Sequence, residues 1–134
     1  MYGPTLVGRP SFFDRQLAAL RDRRPLTLFE DEWRTPLDLP TAARALVAIA
    51  RCDYVGTIHV GGPERLSRLE MGQRLAKHLG SDPTLIVPAT RACAGFAEPR
   101  PRDASLDSAR WRRLFPDQPW PVFEAALRQW TDRI

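Results

Sequence analysis

Hydrophobic residues recur along this chain at two spacings, and the alternation between them divides it into elements. From Ser11 the run Ser-Phe-Phe-Asp sets a cap residue three positions before an acid, and Phe13, Leu17 and Leu20 follow at helical spacing. This predicts a helix from Ser11 to about Arg23, ended by Pro25. Leu26 to Phe29 is a short apolar run between Pro25 and the acidic turn Glu30-Asp31-Glu32, which reads as a brief strand. Arg34 to Leu37 is a further extended segment, because the residue before Pro36 avoids helical dihedrals. Asp38 caps the next helix, which tolerates Pro40 in its first turn and runs to about Arg51; Ala43, Leu46, Val47 and Ala50 form its expected buried stripe.

The β-branched run Thr57-Ile58-His59-Val60, set between Gly56 and Gly61-Gly62-Pro63, predicts a strand. Ser67-Arg68-Leu69-Glu70 is a capping box that opens a helix to Leu79, with Gly80 as the residue just past its end. Leu85 to Val87 reads as a second short strand, and residues 88–105 as a long loop containing Pro88, Pro99 and Pro101. Two helices close the chain. One covers Ser108 to Phe115; the other runs from Pro121, with Phe123, Ala126, Leu127 and Trp130 on one face. The pattern therefore describes an α/β chain, mostly helical with a few short strands, and its 134 residues fit one globular domain over 1–134.

Composition narrows the function. No window approaches the ~18 apolar residues of a membrane span, and the amino terminus resembles no signal peptide, so a cytoplasmic address and no membrane partner are expected. Cys52 and Cys93 stand apart and read as reduced packing thiols. The net charge of +4 raises nucleic acid as a partner, but 19 arginines and the single Lys77 mostly stand beside acids, as in Arg21-Asp22-Arg23 and Arg102-Asp103. That pattern describes a salt-bridged surface, and no nucleic-acid partner is expected.

Catalytic constellations do not emerge. His59 inside a strand and His78 near a helix end lack the partners a metal site needs, so no metal is expected; they read as a packed and a surface histidine. Ser11, Ser67 and Ser108 are explained as helix caps, and Asp38 and Asp103 by capping or arginine pairing. Gly61-Gly62-Pro63 joins a strand to a helix but lacks the third glycine of a dinucleotide fingerprint, and Pro63 removes one amide, so it reads as a turn.

Four segments in order carry a resemblance. They are Tyr2-Gly3-Pro4; Arg34-Thr35-Pro36-Leu37-Asp38 running into Ala42 to Leu46; His59 to Ser67 with the following helix through Met71 and Leu75; and Arg100-Pro101-Arg102-Asp103 with Leu106-Asp107. Together they resemble the second half of extended short-chain dehydrogenase/reductases, the superfamily of NAD-dependent nucleotide-sugar epimerases and dehydratases, with the last motif closest in form to the dTDP-4-dehydrorhamnose reductase branch. The resemblance implies a substrate-binding half without the Rossmann sheet and a nucleotide sugar as ligand. It implies NAD or NADP as cofactor, with the main cofactor site outside this chain. Arg34 and Arg100 match positions that meet the diphosphate, although either can equally be ion-paired at the surface. Ser11 is a candidate for the sugar pocket as well as a cap, and Tyr2, Gly3 and Pro4 match the turn near the nicotinamide.

The family's catalytic tyrosine, with lysine four positions on, precedes that turn; here Gln73 stands four positions before Lys77, so no catalytic residue is assigned. The resemblance thus implies a nucleotide-sugar-binding half, inactive alone, expected to be a truncated gene product or to start late at Met1. It would act with a Rossmann-containing chain or self-associate through an exposed edge at Thr57. The alternative is a stand-alone interaction module or remnant using the face left open.

Overall fold

A computed structural model describes residues 1–5, 8–94 and 100–131. Helix α1 (Phe12–Arg21) opens on a full capping box: the Ser11 hydroxyl accepts from the Asp14 N–H, and the Asp14 carboxylate accepts from the Ser11 N–H. It ends two residues before the expected Arg23, which adopts a left-handed φ of 53°, and the Arg24 N–H closes back on the Ala18–Leu20 turn through the Ala19 carbonyl at 2.8 Å. Strand β1 (Leu26–Phe29) lies where the apolar run placed it. The short β2 (Trp33–Arg34) precedes helix α2 (Leu39–Ala50), whose Asp38 cap accepts from the Thr41 N–H at 3.0 Å.

Strand β3 (Leu66–Ser67) leads directly into helix α3 (Arg68–His78), opened by the Ser67–Glu70 capping box. Its end is closed by Gly80 at φ +63°, with the Ser81 N–H bonded to the Ala76 carbonyl. Strand β4 (Ile86–Ala89), helix α4 (Ala109–Leu114) and helix α5 (Phe123–Thr131) complete the elements. The expected strand at Leu85–Val87 is thus shifted, because Leu85 belongs to a 3-10 turn, Pro83–Leu85. Pro88 is tolerated in a sheet of only two strands, where each strand keeps an open edge. Of the stretch 88–105, the start belongs to β4 and Arg91–Ala94 forms a 3-10 turn; positions 95–99 lie outside the described residues.

The strands pair as two small sheets, parallel β1–β4 with Leu26 opposite Ile86, and antiparallel β2–β3 with Trp33 opposite Ser67. Segment 102–104 adds to the free side of β2, with the Trp33 N–H bonded to the Arg102 carbonyl at 2.7 Å and the Ala104 N–H to the Trp33 carbonyl at 3.1 Å. α3 packs on β1, β4, α1 and α5, and the core it organises includes Leu17, Leu28, Met71, Leu75, Phe123 and Leu127. Burying each such side chain contributes roughly 1.5–3 kcal/mol. The architecture is α/β and mostly helical, with no Rossmann-type sheet among the described residues. None of the described helices is long and apolar enough to cross a membrane.

Five local expectations are corrected. Thr57–Val60 is not a strand: its alternation survives, with Thr57 and His59 exposed and Ile58 and Val60 half-buried, but no described segment pairs with it, and propensity without a partner forms no ladder. His59 is therefore exposed rather than packed. The α2 stripe is real as a pattern but not as a core, because Leu46 and Val47 are 66% and 51% exposed while Thr41, Ala42 and Ala45 face inward. Ser108 does not cap α4; its buried hydroxyl accepts from the Gly61 N–H at 2.8 Å instead. Cys93 is exposed, so it is a free surface thiol rather than a packing one.

Candidate functional site

The amino-terminal turn is built into the body of the fold. Tyr2 bridges to the segment entering α2, its N–H bonding the Leu37 carbonyl at 3.0 Å and its carbonyl accepting from the Leu39 N–H at 3.1 Å. Its ring is buried against Phe13 and Phe123, with centroids at 6.1 and 4.8 Å, and its hydroxyl reaches the Phe123 carbonyl. Burial, reinforced by the charge of Asp38, pushes the phenol well above its ordinary range, so Tyr2 stays neutral. Gly3 sits at φ +139° between Leu39 and the Trp130 ring, and its carbonyl accepts from the Ser11 hydroxyl at 3.2 Å. Ser11 thus caps α1 and ties that helix to the turn. Pro4 is half-buried.

Tyr2, Gly3 and Ser11 share a cavity of about 410 Å3, closed on other sides by Phe12, Leu39 and Arg68. A second cavity of about 290 Å3 adjoins it, lined by Arg34, Thr35, Val60, Leu106 and again Arg68. The structure therefore brings together the candidates Tyr2, Gly3 and Ser11, and sets Arg34 next door. It leaves Arg100 elsewhere: that residue is exposed, its carbonyl accepts from Arg91, and it lines neither cavity. Arg102 pairs with Asp31 at 3.7 Å, while Asp103 is bound by Arg65 at 2.7 Å; the Ser105 hydroxyl and N–H, with Arg65, hold the Asp103 carboxyl down to about 2.

Two residues passed over in the sequence complete the site. Glu32, buried just before β2, accepts from the Arg34 guanidinium and takes Arg68 Nε at 3.4 Å. The i, i+2 spacing of Glu32 and Arg34 on a strand was the available signal, since it sets both on one face. Arg68, first residue of α3, was hidden inside its capping box. Its N–H bonds the Glu32 carbonyl at 3.0 Å and its guanidinium lies 4.3 Å from the Phe12 ring centroid. Desolvation lowers its basicity, against the opposing pull of Glu32.

The residues present do not offer a dinucleotide cradle at the glycine turn Gly61-Gly62-Pro63 that leads into β3 and α3. The Gly61 N–H is bonded to Ser108 and the Gly62 N–H to the Thr35 carbonyl at 3.1 Å, so neither faces a phosphate. A Cβ at Gly62 would stand 1.7 Å from the Pro36 carbonyl oxygen, which shows how tightly this turn is pressed on the chain carrying Arg34. Among the described residues no group of three or more His, Cys, Asp or Glu side chains is placed to hold a metal ion.

Comparison with known proteins fits this arrangement. The family described as RmlD substrate binding domain matches residues 5–134. A probable low-salt glycan biosynthesis reductase of Haloferax volcanii is 30% identical over 102 residues, 76% of this chain and 33% of that protein. Among solved structures, a dTDP-4-dehydrorhamnose reductase from Bacillus anthracis in complex with NADP superposes with a TM-score of 0.81 at 17% identity, covering 99% of this chain and 46% of that one. A UDP-glucuronic acid 4-epimerase from Bacillus cereus, in complex with UDP-glucuronic acid and NAD, gives a TM-score of 0.73 at 21% identity over 98% of this chain and 41% of its own. The chain spans less than half the length of each of these proteins.

Proposed function

The chain belongs to the RmlD substrate-binding domain family, and from that premise we propose that it binds a nucleotide sugar across the two adjoining cavities. The observation that carries the reading is the placement of Arg34 beside the cavity formed by Tyr2, Gly3 and Ser11. Arg34 and Arg68, gathered about the buried Glu32 on that wall, supply the positive charge that suits a diphosphate. The Ser11 hydroxyl and the main chain of Gly3 offer polar groups to a sugar at the other end. Arg100, exposed on the segment after position 99, is assigned to the diphosphate by its motif and reaches it only if that segment closes over the second cavity.

In this reading the chain supplies the substrate side of an NAD(P)-dependent reductase or epimerase. Tyr2, Gly3 and Pro4 would form the wall facing the nicotinamide, whose hydride chemistry and catalytic acid come from residues other than these 134. The neutral Tyr2 is enclosed and contributes shape rather than a proton. Alone, the chain binds without turning over.

Isothermal titration of the chain with dTDP-glucose and UDP-glucose tests this. Saturable binding of one of them, weakened about tenfold by Arg34→Gln, is the expected result. Absence of binding to both, in a chain that unfolds cooperatively, would sink the reading.

A further inference from the structure

Arg68 stands on the wall common to both cavities, whereas Arg34 lines only the second and Ser11, Tyr2 and Gly3 only the first. Among the described residues, Arg34 and Arg68 are the charged side chains lining these cavities; no carboxylate does. The one acid in contact with them, Glu32, lies behind and is shared: it is engaged by both guanidinium groups, leaving these three side chains with one net positive charge, to which the Met1 amino group on the wall of both cavities adds.

The share is unequal. Arg34 reaches Glu32 through a terminal nitrogen and its own strand carbonyl through the other, so its fork is committed. Arg68 touches Glu32 only through Nε, at 3.4 Å, the long limit of a hydrogen bond, and its two terminal nitrogens have no hydrogen-bond partner among the described residues. The group is nonetheless held in place. Its backbone N–H is pinned to the Glu32 carbonyl, and its guanidinium lies against Phe12. A partly desolvated cation with two free donors, oriented by an aromatic ring and facing a cavity without acids, is an anion receptor already set in position.

We propose that Arg68 is the principal phosphoryl-recognition residue of this site, its two terminal nitrogens taking oxygens of a phosphate or diphosphate that lies across the junction of the two cavities. This rests on the nucleotide-sugar reading for its ligand but differs from it in assignment: Arg34, committed to Glu32 and to the strand, positions that acid, and Arg68 makes the contact.

Titrations of wild type, Arg34→Gln, Arg68→Gln and Arg68→Lys with dTDP-glucose, UDP-glucose and inorganic pyrophosphate separate the two. Thermal unfolding is followed for each variant. The expected result is a loss of at least about tenfold for both the bound nucleotide sugar and pyrophosphate in Arg68→Gln, with part of the affinity kept in Arg68→Lys, which retains the charge without the fork. The loss in Arg68→Gln should exceed that in Arg34→Gln. Nucleotide-sugar binding lost in Arg34→Gln but within twofold of wild type in Arg68→Gln leaves the functional reading intact and overturns the assignment to Arg68. Pyrophosphate bound through Arg68, with neither nucleotide sugar bound by wild type, keeps the anion role and removes the nucleotide-sugar reading. Wild type that binds none of the three, while folded, overturns both. Should Arg68→Gln fail to unfold cooperatively, Arg68→Lys carries the decision: pyrophosphate affinity equal to wild type then counts against a fork-specific contact.

Discussion

Replacing Gly62 with alanine puts one methyl group where the fold has no room for it. The added carbon would lie 1.7 Å from the Pro36 carbonyl oxygen and 2.8 Å from its carbon, and both belong to the main chain, so no side-chain rotation relieves the clash. The two backbones must part until that contact exceeds 3.0 Å. Such a movement strains the Gly62 N–H bond to Thr35 at 3.1 Å and the buried Gly61 N–H bond to Ser108 at 2.8 Å. A buried donor left unpaired costs about 1–3 kcal/mol, so losing both costs roughly 2–6 kcal/mol. A chain of this length has a total stability of roughly 7–20 kcal/mol. In equilibrium urea unfolding at neutral pH, a loss of about 3 kcal/mol with a slope near ~1.5 kcal/mol/M lowers the midpoint by about 2 M. Gly80→Ala is the control: Gly80 also has a positive φ, +63°, but nothing lies within 4 Å, so only the left-handed conformation is penalised, at about 1–2 kcal/mol. A Gly62→Ala midpoint no lower than that of Gly80→Ala would refute the close-approach argument.

Ser67→Ala removes the acceptor of the Glu70 N–H at 3.1 Å and should cost about 1 kcal/mol in the same assay. Leu75→Ala, at a fully buried position, should cost about 2–5 kcal/mol, whereas Leu46→Ser and Val47→Ser on the open face of α2 should stay within about 0.5 kcal/mol of wild type. Burial raises the Glu64 carboxyl, but the Phe123 N–H at 2.7 Å and the Arg74 guanidinium outweigh it and hold the group below its ordinary 4.5. A depressed carboxylate contributes stability that is present above its unfolded value and lost as pH falls through the folded one. The urea midpoint should therefore drop as pH falls below about 4.5, and Glu64→Gln should lower the midpoint at pH 7 and flatten that drop.

Local chemistry was legible wherever a residue answers to its immediate neighbours in the chain. The Ser11 and Ser67 capping boxes, the Asp38 cap and the Gly80 closure all lie where the sequence places them, because each is completed within five residues. What depended on distant partners was not. The apolar stripe of α2 shows which side of the helix is hydrophobic, but not whether anything covers it. The Thr57–Val60 pattern records strand propensity without supplying a neighbour. Ser108 looks like a cap in sequence because its bond to Gly61 spans 47 residues. Of the residues the sequence singles out, Tyr2, Gly3 and Ser11 share a cavity, while Arg68 on the same wall gives no signal because a residue inside a capping box already has a sufficient local explanation.

The buried carboxylate between Arg34 and Arg68 has a consequence for selectivity. Glu32 is an internal competitor: it already offers these cations what an incoming anion would offer. A ligand gains only the difference between its own attraction and that of a resident that is present at fixed proximity and never diffuses away. A group with several oxygens spread along its length can satisfy more of the nitrogens Glu32 leaves unmet than a small anion can. On the assignment proposed for Arg68, the acid thus favours ligands of greater charge and reach over small anions, and it does so without any moving part.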